Sequence, residues 1–414
     1  MPLVSKSFSD IITFSRASTA TYFDSAGVLQ SAANDGPRFD YNPSTLAAQG
    51  LLIEEQRTNT ATYSTEFQNA VYLVGPVGDD VTVTDNAATS PDGTTNAATY
   101  TEGTASTSHS RLQRVSGLTA NGVYTISLFV KDNTATRGFA LGFGSTVGAS
   151  SFNSLDRGTA RWDTLAAGPA TATPNNGDVA IISTNAVDVG NGWFRLSMTF
   201  TFDTTNTNTG FSFGFGITSS SLAVGTTGDG SSYLIYGFQL EEGAFPTSYI
   251  PTTTTALTRA ADVASVNTLS PWFNASEGTL FAQAEVAEVV LATRAMASFA
   301  QSTPSLQELY VGISRSVDSR RVAIINAGSN QFTYGPPGTA TSSKGALAYK
   351  TDDSQAAFDG TASSVDTSVT LPTGQDTLYL GNLDSAAQNL NGWLKRVTYY
   401  PRRLSQAELE AITS

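Results

Sequence analysis

The chain has 414 residues, of which 40% are hydrophobic and 14% charged, and a formal net charge of −13. That length allows two or three domains with cores of their own, and the acidic balance excludes a broad basic field for a phosphate backbone, so no nucleic-acid partner is expected. Cysteine is absent and His109 is the single histidine, which removes disulfide frameworks, thiolate or His-clustered metal sites and a ready Ser-His-Asp triad.

Strand signals begin at once. Thr19, Tyr22 and Phe23 have strand propensity, and Asp24-Ser-Ala-Gly27 reads as a turn that sends Val28-Leu29 back against them. Further on, Tyr124, Ile126, Leu128 and Val130 alternate with polar residues, as do Leu196, Met198 and Phe200, then Phe211, Phe213, Phe215 and Ile217, then Leu234, Tyr236, Phe238 and Leu240. Period-two alternation puts one face of each strand on a core. Asp92-Gly93, Asn121-Gly122, Asn176-Gly177 and Asn191-Gly192 punctuate these runs as turns. Many half-buried strands without helical periods between them predict an all-β chain of antiparallel β-sandwiches. One short helix is predicted at the C-terminus, where Ser405 and Glu408 form a capping box and Leu404 and Leu409 a hydrophobic staple. His109, in a Ser/Thr-rich stretch, reads as a solvated loop residue.

Between the two expected sandwiches lies Phe245-Pro-Thr-Ser-Tyr-Ile-Pro251. Each proline fixes its own φ and biases the residue before it toward extended backbone, and Tyr249 and Ile250 carry apolar area that a solvated tether would waste. An ordered strap is expected there. The resulting organisation is an N-terminal module over residues 1–58, a first sandwich over 59–250, an ordered linker over 251–262 and a second sandwich over 263–414.

Several ordered motifs carry a resemblance. Arg16-Ala-Ser18, Thr21-Tyr22, Asp24, Gly27, Pro37-Arg38-Phe39 and Gly50-Leu-Leu-Ile-Glu-Glu-Gln-Arg-Thr-Asn59 resemble the N-terminal module of bacteriophage structural proteins found on tail fibres, tail tips and head appendages. Ser90-Pro-Asp-Gly-Thr94, Asn191-Gly-Trp-Phe-Arg195, Gly237-Phe-Gln-Leu-Glu-Glu-Gly243 and Thr247-Ser-Tyr-Ile-Pro251 are similar to a carbohydrate-binding-module-type jelly roll. Leu257-Thr-Arg-Ala-Ala-Asp-Val263, Asn391-Gly-Trp393 and Tyr400-Pro-Arg-Arg-Leu404 resemble the start and end of a concanavalin- or laminin-G-like sandwich. The resemblance implies a virion protein that meets other tail or capsid proteins through residues 1–58. It also implies calcium as a possible structural ion, with Glu66 and Glu241 at ligand positions and Gln239 assisting from the face of Glu241.

Concanavalin-like folds also host glycoside hydrolases, which need two carboxylates on one strand face, about 5–5.5 Å apart for retention or 6.5–9.5 Å for inversion. Glu285 and Glu288 are three residues apart, and Glu241 and Glu242 are adjacent, so each pair would point to opposite strand faces. No catalytic residue is assigned. Sugar binding uses exposed aromatic rings, for which Trp272, Tyr310, Tyr334 and Trp162 are the candidates. Trp193 and Trp393 each follow an Asn-Gly turn into an alternating strand and read as core.

No apolar run approaches the ~20 residues of a membrane span, so membrane insertion is not expected. The start of the chain lacks the apolar core of a signal peptide, so synthesis and retention in the cytoplasm of the producing cell are expected, and the resemblance implies a place on the virion. The expectation is a non-enzymatic fibre or spike that binds host-surface polysaccharide. Capsid decoration as a head fibre and capsule degradation by a glycoside hydrolase are the alternatives. A homotrimer is expected, because the small first module has too few apolar residues to bury Phe39, Leu51 and Ile53 without a neighbour.

Overall fold

The computed structural model describes residues 6–74, 80–119, 121–145, 157–169, 171–174, 179–202, 210–219, 225–287, 294–301, 307–313, 320–337, 340–384 and 388–414. Glu288 and the Asn176-Gly177 turn lie outside the described residues. The chain is all-β, built from antiparallel sheets that pack as two sandwiches, with one short helix at the end.

The jelly roll is made of two six-stranded sheets. One runs in the order Thr171–Pro174, Arg157–Trp162, Phe139–Ser145, Gly210–Ile217, Ser110–Ser116, Tyr72–Val74. The other runs Val179–Asp188, Trp193–Phe202, Val123–Asp132, Ser232–Glu242, Thr95–Glu102, Val81–Thr89. The alternating residues face inward as their period requires: Ile126, Leu128, Leu196, Met198, Phe213, Phe215 and Phe238 are all buried between the sheets. Aromatic rings dominate this core, with Phe143 stacked on Phe200 at 4.0 Å between centroids and Phe139 edge-on to Tyr233 at 5.0 Å.

The second sandwich has two seven-stranded sheets, and the N-terminal residues build part of both. Thr13–Ser15 is an edge strand paired with Val263–Val266. Ala48–Ile53 pairs with Gly392–Tyr400, in a register of Leu51 with Leu394 and Ile53 with Gly392, and Phe39–Tyr41 adds the next strand outward. Residues 1–58 are therefore not a module apart. Their strands close the C-terminal sandwich, and the jelly roll is an insertion that enters and leaves through the ribbon of Arg57–Asn59 with Leu257–Arg259. Gly50 permits the pairing: at φ 121° it lies so close to Leu394 that a Cβ would come within 2.5 Å of that carbonyl oxygen.

This topology changes the argument for a trimer. Leu51 and Ile53 are buried in the core of the second sandwich by residues of their own chain, so their burial needs no neighbour. Phe39, 47% exposed on its edge strand, is the one of the three that stays outside.

The strap is packed from Phe245 to Ile250. Phe245, Tyr249 and Ile250 are buried, Tyr249 OH meets Ser64 Oγ at 2.6 Å, and the Ile250 N–H donates to Gln239 Oε1 at 2.7 Å. At the other end, the helix Gln406–Thr413 starts where its capping box predicts. The Ser405 N–H donates to Glu408 Oε2 at 2.8 Å, and Leu404 and Leu409 are buried together. Among the described residues no helix is long and apolar enough to cross a membrane.

Candidate functional site

Three motif residues of the first 59 positions, Arg16, Arg38 and Glu54, meet in one buried ionic network. Arg38 Nη1 donates to Glu54 Oε2 at 2.8 Å and Nη2 to Asp262 Oδ2 at 2.5 Å. Arg16 Nη1 reaches Asp262 Oδ1 at 3.0 Å, and Arg259 Nη1 lies 3.1 Å from Glu54 Oε2. The backbone N–H of Glu54 adds a bond to Asp262 Oδ2 at 2.8 Å, and Ser248 from the strap donates both its N–H and its hydroxyl to Glu54. Burial works against the Glu54 charge, yet Arg259, Arg38 and Ser248 hold its carboxyl down to about 2. The network thus ties the N-terminal strands, the strap and the start of the second sandwich into one joint.

Beside this joint a cleft of about 230 Å³ opens between the N-terminal hairpin, the jelly roll, the strap and the last strand of the second sandwich. Phe23, Val187, Phe245 and the half-buried Trp393 give it apolar and aromatic surface; Asn42, Asn391, Asp40 and Asp188 give it polar groups. Asp40 is oriented from both sides: Oδ1 accepts from the Phe23 N–H and Oδ2 from the Trp393 indole Nε1, each at 2.7 Å. Burial pushes its carboxyl up, against these two bonds. One wall is the turn at Asn42, whose Oδ1 accepts from the N–H groups of Ser44 and Thr45. Ser44 Oγ then donates to Asp188 Oδ2 at 2.8 Å, joining that turn to the jelly roll. Glycine is needed on either side of it, since a Cβ on Gly27 or Gly190 would sit 2.7 or 2.6 Å from the Pro43 carbonyl oxygen.

The candidates from sequence fall elsewhere. Trp162 and Tyr310 are core residues, 0% and 3% exposed, and offer no ring to a sugar. Trp272 packs against Tyr399 and Phe299 at 5.4 and 6.0 Å between ring centroids, as part of the second core. Tyr334 alone of the four lines a surface depression, a groove of about 300 Å³ shared with Ser363, Ser364 and Asp366. Its ring leans on Phe358.

The calcium set does not assemble. Glu66 is exposed, whereas Gln239 and Glu241 are 0% exposed and satisfied by protein. Glu241 Oε1 accepts from Gln239 Nε2 and the Thr247 N–H, and Oε2 accepts from the Thr247 hydroxyl at 2.7 Å. This pair fastens the strap to the jelly roll. Among the described residues no group of acidic and His side chains could hold a metal ion. His109 is buried as well, with Nδ1 3.2 Å from Glu102 Oε2, and is not a solvated loop residue.

Trp393, read from sequence as core, lines the cleft half-buried, and Asp40 and Arg195, which line it too, had no signal as site residues. An Asn-Gly turn before a strand marks where Trp393 starts but not which side its neighbours leave open.

No known protein family matches the sequence, and no characterised protein does. Solved structures share the architecture at low identity. The CBM40 module of the Ruminococcus gnavus IT-sialidase, solved with α2,3-sialyllactose, is 18% identical over 34% of this chain and 84% of its own, at a TM-score of 0.30. Domain 4 of AbnA, an extracellular GH43 arabinanase from Geobacillus stearothermophilus, is 8% identical over 41% and 82%, also at 0.30. Mouse laminin α1 LG4-5 is 10% identical over 73% and 90%, at 0.23. The likeness is one of β-sandwich fold, to carbohydrate-binding modules and laminin-G-like domains.

Proposed function

We propose that the chain is a non-enzymatic glycan-binding protein of a bacteriophage particle, a fibre or spike that holds host-surface polysaccharide in the cleft at Trp393. The observation that carries this reading is the cleft itself. A half-buried indole fixed by Asp40 stands among amide and carboxylate groups at the junction of three parts of the chain, the kind of place where ligand sites form. Sugars need an aromatic face and directed polar partners, and both are present here.

The carboxylates of the cleft, Glu54, Asp40 and Asp188, are each held by protein partners, Asp188 by the Ser44 hydroxyl and the Gly190 N–H, which supports binding over hydrolysis. Glu54 is locked by two arginines and a serine, and a carboxyl held down to about 2 cannot deliver a proton near neutral pH. Asp40 spends both oxygens on Phe23 and Trp393.

Placement on a virion rests on the ordered motif resemblance. Since Arg16, Arg38 and Glu54 are buried in the joint, contact with other virion proteins would fall to what residues 1–58 leave outside, chiefly Ile11, Phe39 and Leu46, 50%, 47% and 49% exposed. A homotrimer would have to use that same edge, and decoration of a head is the sister assignment. Glycan-array binding by the pure protein, with loss of signal in Trp393→Ala, is the test; polysaccharide that shortens on incubation would instead support a hydrolase.

A further inference from the structure

Arg195 is a cation without a counter-ion at the wall of this cleft. Its Nη1 donates to the Thr247 carbonyl at 2.7 Å and its Nη2 to Ser127 Oγ at 3.0 Å, while the Phe129 ring lies 5.2 Å from the guanidinium carbon. Nε is buried with no hydrogen-bond partner, and among the described residues the side chain forms no ion pair. The carboxylates whose fields reach it are Glu241 and Glu54. Each is already taken, Glu241 by Gln239 and Thr247, Glu54 by Arg38, Arg259 and Ser248. Burial lowers the pKa of Arg195, but a guanidinium stays charged throughout the working range. A desolvated charge is costly unless something pairs with it, and here only hydroxyl and carbonyl oxygens do.

Resting on the glycan-binding reading above, we propose that the cleft takes an acidic sugar, a pyranose bearing one carboxylate, which pairs with Arg195 while the ring lies against Trp393. The planar fork of a guanidinium matches a carboxylate, and Nη1 and Nη2 each carry a second N–H beyond the bonds to Thr247 and Ser127. A single negative charge suits the site better than a phosphate. Arg195 is the one basic residue in a lining that also holds Asp40, Glu54 and Asp188, so a second negative charge on the ligand would meet acids and no further cation. Asp40 turns its two oxygens to the Phe23 N–H and the Trp393 indole, and those bonds hold them there.

The test is calorimetry on the full chain with glucuronic acid, N-acetylneuraminic acid, glucose and glucose 6-phosphate, repeated at rising salt and with Arg195→Met and Arg195→Lys. At least one carboxylate sugar should bind about tenfold or more tightly than glucose and the phosphate. That advantage should shrink with salt, vanish in Arg195→Met and partly persist in Arg195→Lys. Glucose binding as well as the acids do would overturn this inference and leave the glycan cleft standing, as would preference for the phosphate. Binding of none of the four sugars would overturn both. Should Arg195→Met fail to fold, the ranking and salt dependence of the wild-type protein still decide.

Discussion

The indole N–H of Trp393 donates to Asp40 Oδ2 at 2.7 Å, a bond between residues 353 positions apart. It joins the strand that enters last in the second sandwich to the edge strand contributed by the N-terminus, and it fixes the indole at the cleft. Replacing Asp40 by alanine would leave Trp393 Nε1 and the Phe23 N–H without their acceptor. Loss of about 1–3 kcal/mol of stability is expected, read as a lower urea midpoint at unchanged slope; an unmoved midpoint would mean that water replaces the carboxylate at no cost.

Arg38 should be among the most sensitive positions in the chain. Its side chain is 0% exposed and bridges Glu54 and Asp262, so Arg38→Met takes a cationic partner from each of two buried carboxylates. Breaking one partner of such a pair costs about 3–5 kcal/mol, measurable by chemical denaturation. Arg402→Ala, which removes an exposed partner of Glu408, should leave the same curve almost in place.

Much of the fold was legible in the sequence, and the reasons separate what was read from what was missed. Alternation in stretches such as Leu196, Met198, Phe200 states which side chains share a face, and the structure buries that face. The capping box at Ser405 is local chemistry and reads directly. What alternation does not state is which strand lies beside which. Leu51 and Ile53 pair with a strand that begins at Gly392, and no local signal marks a partner so far along the chain. The same gap misassigned the aromatics: Trp162 and Tyr310 sit on strand faces that other segments cover, while the strand bearing Trp393 leaves its ring at the cleft. Glu241 resembled a metal ligand because its true partner, Thr247, is held to it by the strap's path.

Stability should fall as pH rises through the range where Glu308 titrates. Burial, reinforced by Asp384 and opposed by Arg321, pushes its carboxyl from 4.5 up to about 7, and Oε2 has no hydrogen-bond partner. A raised carboxyl holds its proton more tightly in the folded state. Between 4.5 and about 7 the native chain therefore binds more protons than the unfolded one, and the stability present at low pH is lost on the way up. Glu308→Gln should flatten this part of the pH–stability curve and exceed the parent in stability above it. An unaltered slope would show that Glu308 is charged at neutral pH without penalty.

The strap should resist proteolysis. Phe245, Tyr249 and Ile250 are buried and Thr247, Ser248 and Ile250 are hydrogen-bonded through their backbone, so a protease has little extended chain to seize. Cleavage within 246–250 should follow global unfolding and should quicken in Glu241→Ala, which removes the acceptor of Thr247. Rapid nicking of the parent protein at that segment would contradict the packed joint.

The claim on which the account rests is that sugar meets Trp393. The chain has four tryptophans, so the indole N–H signals of a 15N-labelled sample can be assigned with Trp393→Phe. Titration with oligosaccharides from a susceptible host surface should move the Trp393 signal and leave those of the buried Trp162 and Trp193 in place. Saturable binding that shifts the Trp272 signal, or none of the four, would contradict it.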